Sequence, residues 1–215
     1  NKLQKVEHDH KMLSLEKTKS ADEVLTFCKG KQILAMCKMD GLTCSLTYEN
    51  GVLTRAETRG NGYIGEDILH CAKVVKNIPL RINHTDELII DGEIIITYDD
   101  FDKINENLPD DQKYRNPRNL ASGSVRQLDS SVAAQRSMKF IAWKVVKGIE
   151  NNSFFERLCE ASRLGFEITP CVSEPHVTAK TVDLTIGWVK KMCDDASFPI
   201  DGCVIGYDDV VYGES

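Results

Sequence analysis

TCSLTYENGVLTRAET, residues 43–58, decides the fold. Two runs of alternating character flank Asn50-Gly51. That pair is the strongest short signal for a tight hairpin, because both residues accept the left-handed backbone of a type I′ turn. Upstream, ILAMCK (33–38) reads as a buried strand. Downstream, LIIDGEIIIT (88–97) reads as a strand broken at Asp91-Gly92, and MKFIAWKVV (138–146) and PIDGCVIGY (199–207) as further strands. Helices fall between them. Ser20-Ala21-Asp22-Glu23 has the form of a capping box opening a short helix to about Lys29. RGNGYIGED (59–67) reads as a glycine-rich loop feeding a helix through Val75. Residues 99–108 place Phe101, Ile104 and Leu108 on one helical face. Asn116-Pro117 is an N-cap followed by proline at the first helical position, starting a helix to about Gln127. Residues 153–164 and 178–195 are amphipathic at helical period. Hairpins with interspersed helices, and no regular βαβ alternation, predict an α+β fold of mostly antiparallel sheets with flanking helices.

Composition narrows the class. The chain has 215 residues and a net charge of −6, so nucleic-acid contact needs a local basic patch. Cysteines stand at 28, 37, 44, 71, 159, 171, 193 and 203, with no C-x-x-C pair that would suggest zinc. Scattered through apolar contexts, they read as reduced core residues of a cytoplasmic protein. No run is long and apolar enough to span a membrane, and no signal peptide opens the chain. The ending GYDDVVYGES stops just after a strand-like run, as expected of a fragment.

CKMDGLT (37–43) poses the chemical question. Lys38 ends an apolar strand, where lysine is rarely buried without cause. Desolvation lowers a lysine pKa and makes the amine a nucleophile; a lysine snorkelling to water is the plain alternative. From Lys113 to Lys147 eight basic residues face one acid, Asp129, so the stretch carries 8 − 1 = +7. Such a block suits a phosphate-tracking surface or an evenly solvated face. Within it Arg118 and Arg126 lie eight positions apart on one helix. At about 100° per residue they fall within roughly 80° of each other and can face one polyanion. Arg59 equally suits a phosphate or a solvated hairpin end. Asp40, Glu93 and Asp201 each adjoin a glycine at a strand end. Singly they suit turns; around one pocket with a lysine they suit a nucleotide and a metal.

Taken in order, K-M-D-G, T-R-G-N-G-x-x-G-E-D, D-G-E, NPRNLASGSVRQLD (116–129) and the late D-G-x-V-I resemble the NAD-dependent DNA ligases of bacteria across nearly the whole chain. The 116–129 segment is the most specific and is foreign to ATP-dependent ligases. The resemblance implies a nucleotidyltransferase adenylation domain, ATP-grasp-like, filling residues 1–215 as a piece of a longer ligase truncated at both ends. It implies that Lys38 attacks the α-phosphate of NAD, that nicotinamide mononucleotide leaves, and that AMP stays on the lysine. AMP then passes to the 5′-phosphate of nicked duplex DNA, and the 3′-hydroxyl displaces it in replication and repair. Asp40 and Asp201 would join Lys38 in catalysis, and Glu93 would hold the ribose. Ser14, Leu15, Cys37, Trp143 and Val204 would border the nucleotide, Trp143 stacked on the adenine. Arg59, Arg118 and Arg126 would bind nucleotide and DNA phosphates. Asp40, Glu93 and Asp201 would hold magnesium. A cytoplasmic monomer is implied.

Four positions depart from the family pattern: Met36 for a glutamate that touches the adenine amino group, Asn61 for aspartate in R-G-D-G, Trp143 for tyrosine, and Gly206 for a phosphate-binding lysine. A later A-F-K motif would lie beyond Ser215. An ATP-dependent polynucleotide ligase is the alternative enzyme reading, and a degenerate nucleic-acid-binding relative the alternative without catalysis.

Overall fold

Asn50 and Gly51 both adopt positive φ, 49° and 74°, and turn the chain tightly between β3 (Leu42–Glu49) and β4 (Val52–Thr58). This hairpin anchors the four-stranded antiparallel sheet of the computed structural model, which describes residues 3–8, 10 and 18–214. Beside β3 lies β6 (Leu88–Ile95), and β7 (Lys139–Lys147) closes the order β4-β3-β6-β7. A second, three-stranded sheet has the order β8-β2-β9, from β2 (Ile33–Met39), β8 (Cys171–Glu174) and β9 (Ile200–Tyr207). A small ribbon pairs β1 (Lys5–Glu7) with β5 (Ile64–Glu66). All named strand pairs are antiparallel, as the sequence predicted.

The expected break at Asp91-Gly92 is absent; β6 runs through it. Its residues pair on both sides, with Ser45 and Cys44 of β3 and with Lys144 and Ala142 of β7, so the backbone bonds of a central strand hold the polar pair in line. Alternation then sorts the side chains. Leu88, Ile90 and Ile94 join the main core with Cys44, Leu46 and Tyr48. Asp91 and Glu93 point to the opposite face, the one that carries Thr43.

Helices cover the sheets. The short α1 (Ala21–Cys28) is capped by Ser20, which accepts from the Glu23 amide, while the Glu23 carboxylate turns to Thr18 instead of closing the box. The loop after residue 59 feeds β5 and then only the single turn α2 (Leu69–Ala72), not a helix through Val75. Next come α3 (Tyr98–Glu106), α4 (Pro117–Val125), α5 (Ser130–Ala134), α6 (Phe154–Arg163), α7 (Ala179–Asp195) and α8 (Val210–Gly213). Asn116 caps α4 by accepting from the Asn119 amide, as its place before proline predicts. Between the sheets Ala35, Cys37 and Met39 of β2 pack on Ile95, Ile141 and Val189. There the Cys37 and Cys193 sulfurs pair between β2 and α7, where separate thiols were expected. Their Cα atoms are 7.1 Å apart, outside the usual disulfide span of about 4.4–6.8 Å. The six remaining cysteines are free. Among the described residues no helix is long and apolar enough to cross a membrane.

Candidate active site

Strand alternation turns Lys38 to the face opposite the paired Cys37 sulfur. Its Nζ donates to Asp201 Oδ2 at 2.6 Å. That bond joins the end of β2 to the start of β9, where the register shifts between Cys37 and Met39. Lys38 is about one-third exposed, between the desolvated and the snorkelling lysine that its apolar strand left open.

The turn after β2 requires glycine. A Cβ on Gly41 would stand 2.1 Å from the Ile94 carbonyl oxygen, which is prohibitive. This close approach lays the turn against β6 and brings Glu93 to the Gly41 amide and the Thr43 hydroxyl, both of which hydrogen-bond its carboxyl. Burial is nevertheless the larger effect and pushes the Glu93 carboxyl up to about 7, with Arg118 and Arg59 pulling in the other direction. Asp40, on the same turn, accepts from Arg118 Nη1 at 3.1 Å.

Beside these groups lies a cavity of about 380 Å³ lined by Gly41, Thr43, Arg59, Arg118, Arg126 and Lys5, among others. Four cations and one carboxylate, Glu66, give the lining a net 4 − 1 = +3. Arg118 and Arg126 thus line one cavity, although Arg126 caps α4 rather than lying inside it. Glu66 accepts from Arg126 Nε at 3.3 Å. The Asn61 substitution is neutral in geometry. Its Oδ1 accepts from the Tyr63 and Ile64 amides at 3.0 and 2.8 Å, bonds an aspartate oxygen would make equally well.

The residues expected to border the base come from three strands, Met36 from β2, Trp143 from β7 and Val204 from β9. Trp143, Met36 and Val204 share one apolar cluster with Leu34 and Leu158. Val204 pairs directly with Met36. None of these lines the arginine cavity. Cys37 is removed from the set by its side chain, which faces Cys193. Ser14 and Leu15 lie outside the described residues.

The magnesium set needs correction. Among the described residues no three His, Cys, Asp or Glu side chains gather closely enough to hold a metal. Asp201 is taken by Lys38, Asp40 by Arg118, and Glu93 by Thr43 and Gly41. These carboxylates do not fit a shared cage.

Sequence reasoning missed Thr43, Glu66 and Lys5: the first two stand inside quoted motifs but were given no role, and Lys5 comes from β1, a segment with no motif of its own. Only the alternation of β3, placing Thr43 opposite Glu93, could have found the first.

The sequence pattern of the NAD-dependent DNA ligase adenylation domain matches residues 1–214. The chain belongs to that family. A DNA ligase of Lachnoclostridium phytofermentans is 43% identical over 219 residues, covering 100% of this chain and 33% of its own length. A DNA ligase of Ruminiclostridium cellulolyticum is 40% identical over 217 residues, covering 99% of this chain and 33% of its own. The chain thus spans about a third of the length of these relatives. A solved mycobacterial DNA ligase D complexed with ATP and MES superposes with a TM-score of 0.45 at 12% identity, over 83% of this chain and 49% of that one.

Within this family domain, the Glu93 environment makes a measurable prediction. A carboxyl whose folded-state pKa is raised contributes its stability in full below the ordinary value of 4.5, and loses it as pH rises through about 7. Thermal stability should therefore fall across that window, by up to about 3 kcal/mol. Glu93→Gln should flatten the fall. A variant with the same pH dependence as the parent would show that Glu93 is not held neutral by burial.

Proposed function

We propose that residues 1–215 are the adenylation unit of a longer NAD-dependent DNA ligase, with Lys38 as the nucleophile. The observation that carries this is the Lys38–Asp201 pair at 2.6 Å, beside an arginine-lined cavity and Glu93. The unprotonated Nζ would attack the α-phosphorus of NAD, forming a phosphorus–nitrogen bond. The bond to the nicotinamide mononucleotide oxygen breaks, and that group leaves with the electron pair. Asp201 Oδ2 is placed to take the proton from Nζ. Arg59, Arg118 and Arg126 would neutralise the phosphates, a preorganised charge that needs no rearrangement during reaction. The lysyl-AMP would then pass AMP to the 5′-phosphate of a nicked duplex, and attack by the 3′-hydroxyl would seal the strand and release AMP. The setting we propose is a cytoplasmic monomer. Incubating the full-length protein with adenylate-labelled NAD, and with labelled ATP in parallel, tests the reading. Label on Lys38 from NAD alone supports it; label from ATP alone would transfer the protein to the other ligase class, and none from either would leave a nucleic-acid binder.

Trp143 and Val204 would enclose the adenine. Trp143→Ala should weaken AMP binding by about 1–3 kcal/mol, the worth of a base stacked on an aromatic ring. Trp143→Tyr should be nearly neutral, since both rings stack. Calorimetry decides between this and a purely structural Trp143, for which the alanine variant would bind AMP as tightly as the parent.

A further inference from the structure

We propose that His8 is a positioning residue that acts through Arg59, an inference that rests on the function proposed above. His8 belongs to no motif in the sequence, and its side chain is only 1% exposed. Its ring reaches the end of β4 by two contacts. Nε2 donates to the Arg59 carbonyl oxygen at 2.9 Å, and Nδ1 meets Glu57 Oε2 at 3.1 Å. The backbone adds a third, from the His8 amide to the Tyr63 carbonyl at 2.8 Å. These bonds span both sides of the Arg-Gly-Asn-Gly turn, which is itself closed by the Gly62 amide donating to the same Arg59 carbonyl at 2.9 Å.

The chain makes room for the ring. A Cβ on Gly65 would stand 2.8 Å from His8 Cε1 and 1.8 Å from the Thr58 carbonyl oxygen. Glycine at 65 therefore lets β5 close over His8, and the β1–β5 ribbon fastens the imidazole under the turn. Arg59, whose carbonyl this clamp holds, lines the cationic cavity. An arginine has four side-chain torsions to fix before its guanidinium meets a phosphate, and a rigid backbone origin removes part of that cost. Among the described residues the ring nitrogens of His8 bond the Arg59 carbonyl and Glu57, so its effect on chemistry passes through the turn.

A double-mutant cycle in the full-length protein separates this from general stabilisation. The rate of Lys38 adenylation by labelled NAD is measured for His8→Asn and His8→Gln, alone and with Arg59→Ala. The glutamine amide nitrogen sits near the place of Nε2 and keeps the bond to the Arg59 carbonyl; the asparagine amide sits near Nδ1 and loses it. His8→Asn should slow adenylation about tenfold, the order of one lost buried hydrogen bond. His8→Gln should stay within about threefold of the parent, and in the Arg59→Ala background neither change should matter. Equal losses for both variants, or an undiminished loss without Arg59, would overturn the positioning role. Should His8→Asn not fold, a loss well beyond threefold in His8→Gln overturns it alone. A parent that takes no label overturns the proposed function, and this inference with it; a parent that labels normally while the cycle is additive overturns this inference only.

Discussion

Lys38→Ala should abolish the covalent AMP adduct entirely while leaving the fold intact. The side chain is about one-third exposed and bonds Asp201, itself nearly half exposed, so little core packing goes with it. Exposed ion pairs contribute about 0–1 kcal/mol, and the thermal midpoint should barely move. Chemistry responds differently. Without the amine there is no nitrogen to accept the α-phosphorus, and the rate of adduct formation should fall to background. The later step should survive. A nick that already carries AMP on its 5′-phosphate needs the arginine cavity and the 3′-hydroxyl but not a new lysyl bond, so the full-length variant should still close it measurably. Mass spectrometry of the protein after incubation with NAD, and a gel assay with a pre-adenylated nick, read the two halves. An adduct persisting in Lys38→Ala would place the nucleophile elsewhere. Loss of both halves would give Lys38 a second role in the sealing step, beyond attack.

What could be read in the sequence follows from how local each signal is. The Asn50-Gly51 hairpin and the Asn116 cap are written within a few residues, and both formed where expected. β6 was misread because Asp91-Gly92 has the composition of a turn, whereas pairing on both edges overrides that preference. The ribbon of β1 and β5 and the short β8 escaped notice because three- and four-residue strands carry too few alternations to register. The same distinction runs through the site. Lys38, Asp40 and Glu93 sit in motifs, and the fold brings Lys38 to Asp201, Asp40 to Arg118, and Glu93 under the charge of Arg118 and Arg59. The magnesium set failed because motif residues tell which groups are near a substrate, not which neighbours already occupy them: Arg118 holds Asp40 and Lys38 holds Asp201. His8 and Thr43 were invisible because their roles exist only after strand pairing.

Gly206→Lys should accelerate lysyl-AMP formation. Gly206 stands where the family pattern has a phosphate-binding lysine, and the space for that side chain is present: nothing lies within 4 Å of a Cβ built there. Gly206 pairs with Leu34 on the neighbouring strand, and Val204 with Met36. Alternation therefore sends a side chain at 206 to the face that carries Met36 and Lys38. Leu34 and Lys38 are four residues apart, roughly 13 Å at the usual strand rise. Two extended lysines approaching from those ends can converge on one phosphate between them. In the present chain that phosphate would depend on Arg59, Arg118 and Arg126, of which Arg118 and Arg126 are already engaged with Asp40 and Glu66. An added cation would stabilise charge that grows as the pyrophosphate bond breaks. Removing one preorganised donor from such a site costs about a hundredfold or more, and installing one without its evolved surroundings should recover about tenfold. Gly206→Met supplies the control, with similar length and no charge. A single-turnover rate with NAD that is raised in the lysine variant and unchanged in the methionine variant would assign the gain to charge at the α-phosphate. Equal rates in both would mean that the position faces away from the phosphate, and that this chain's glycine took nothing from the reaction.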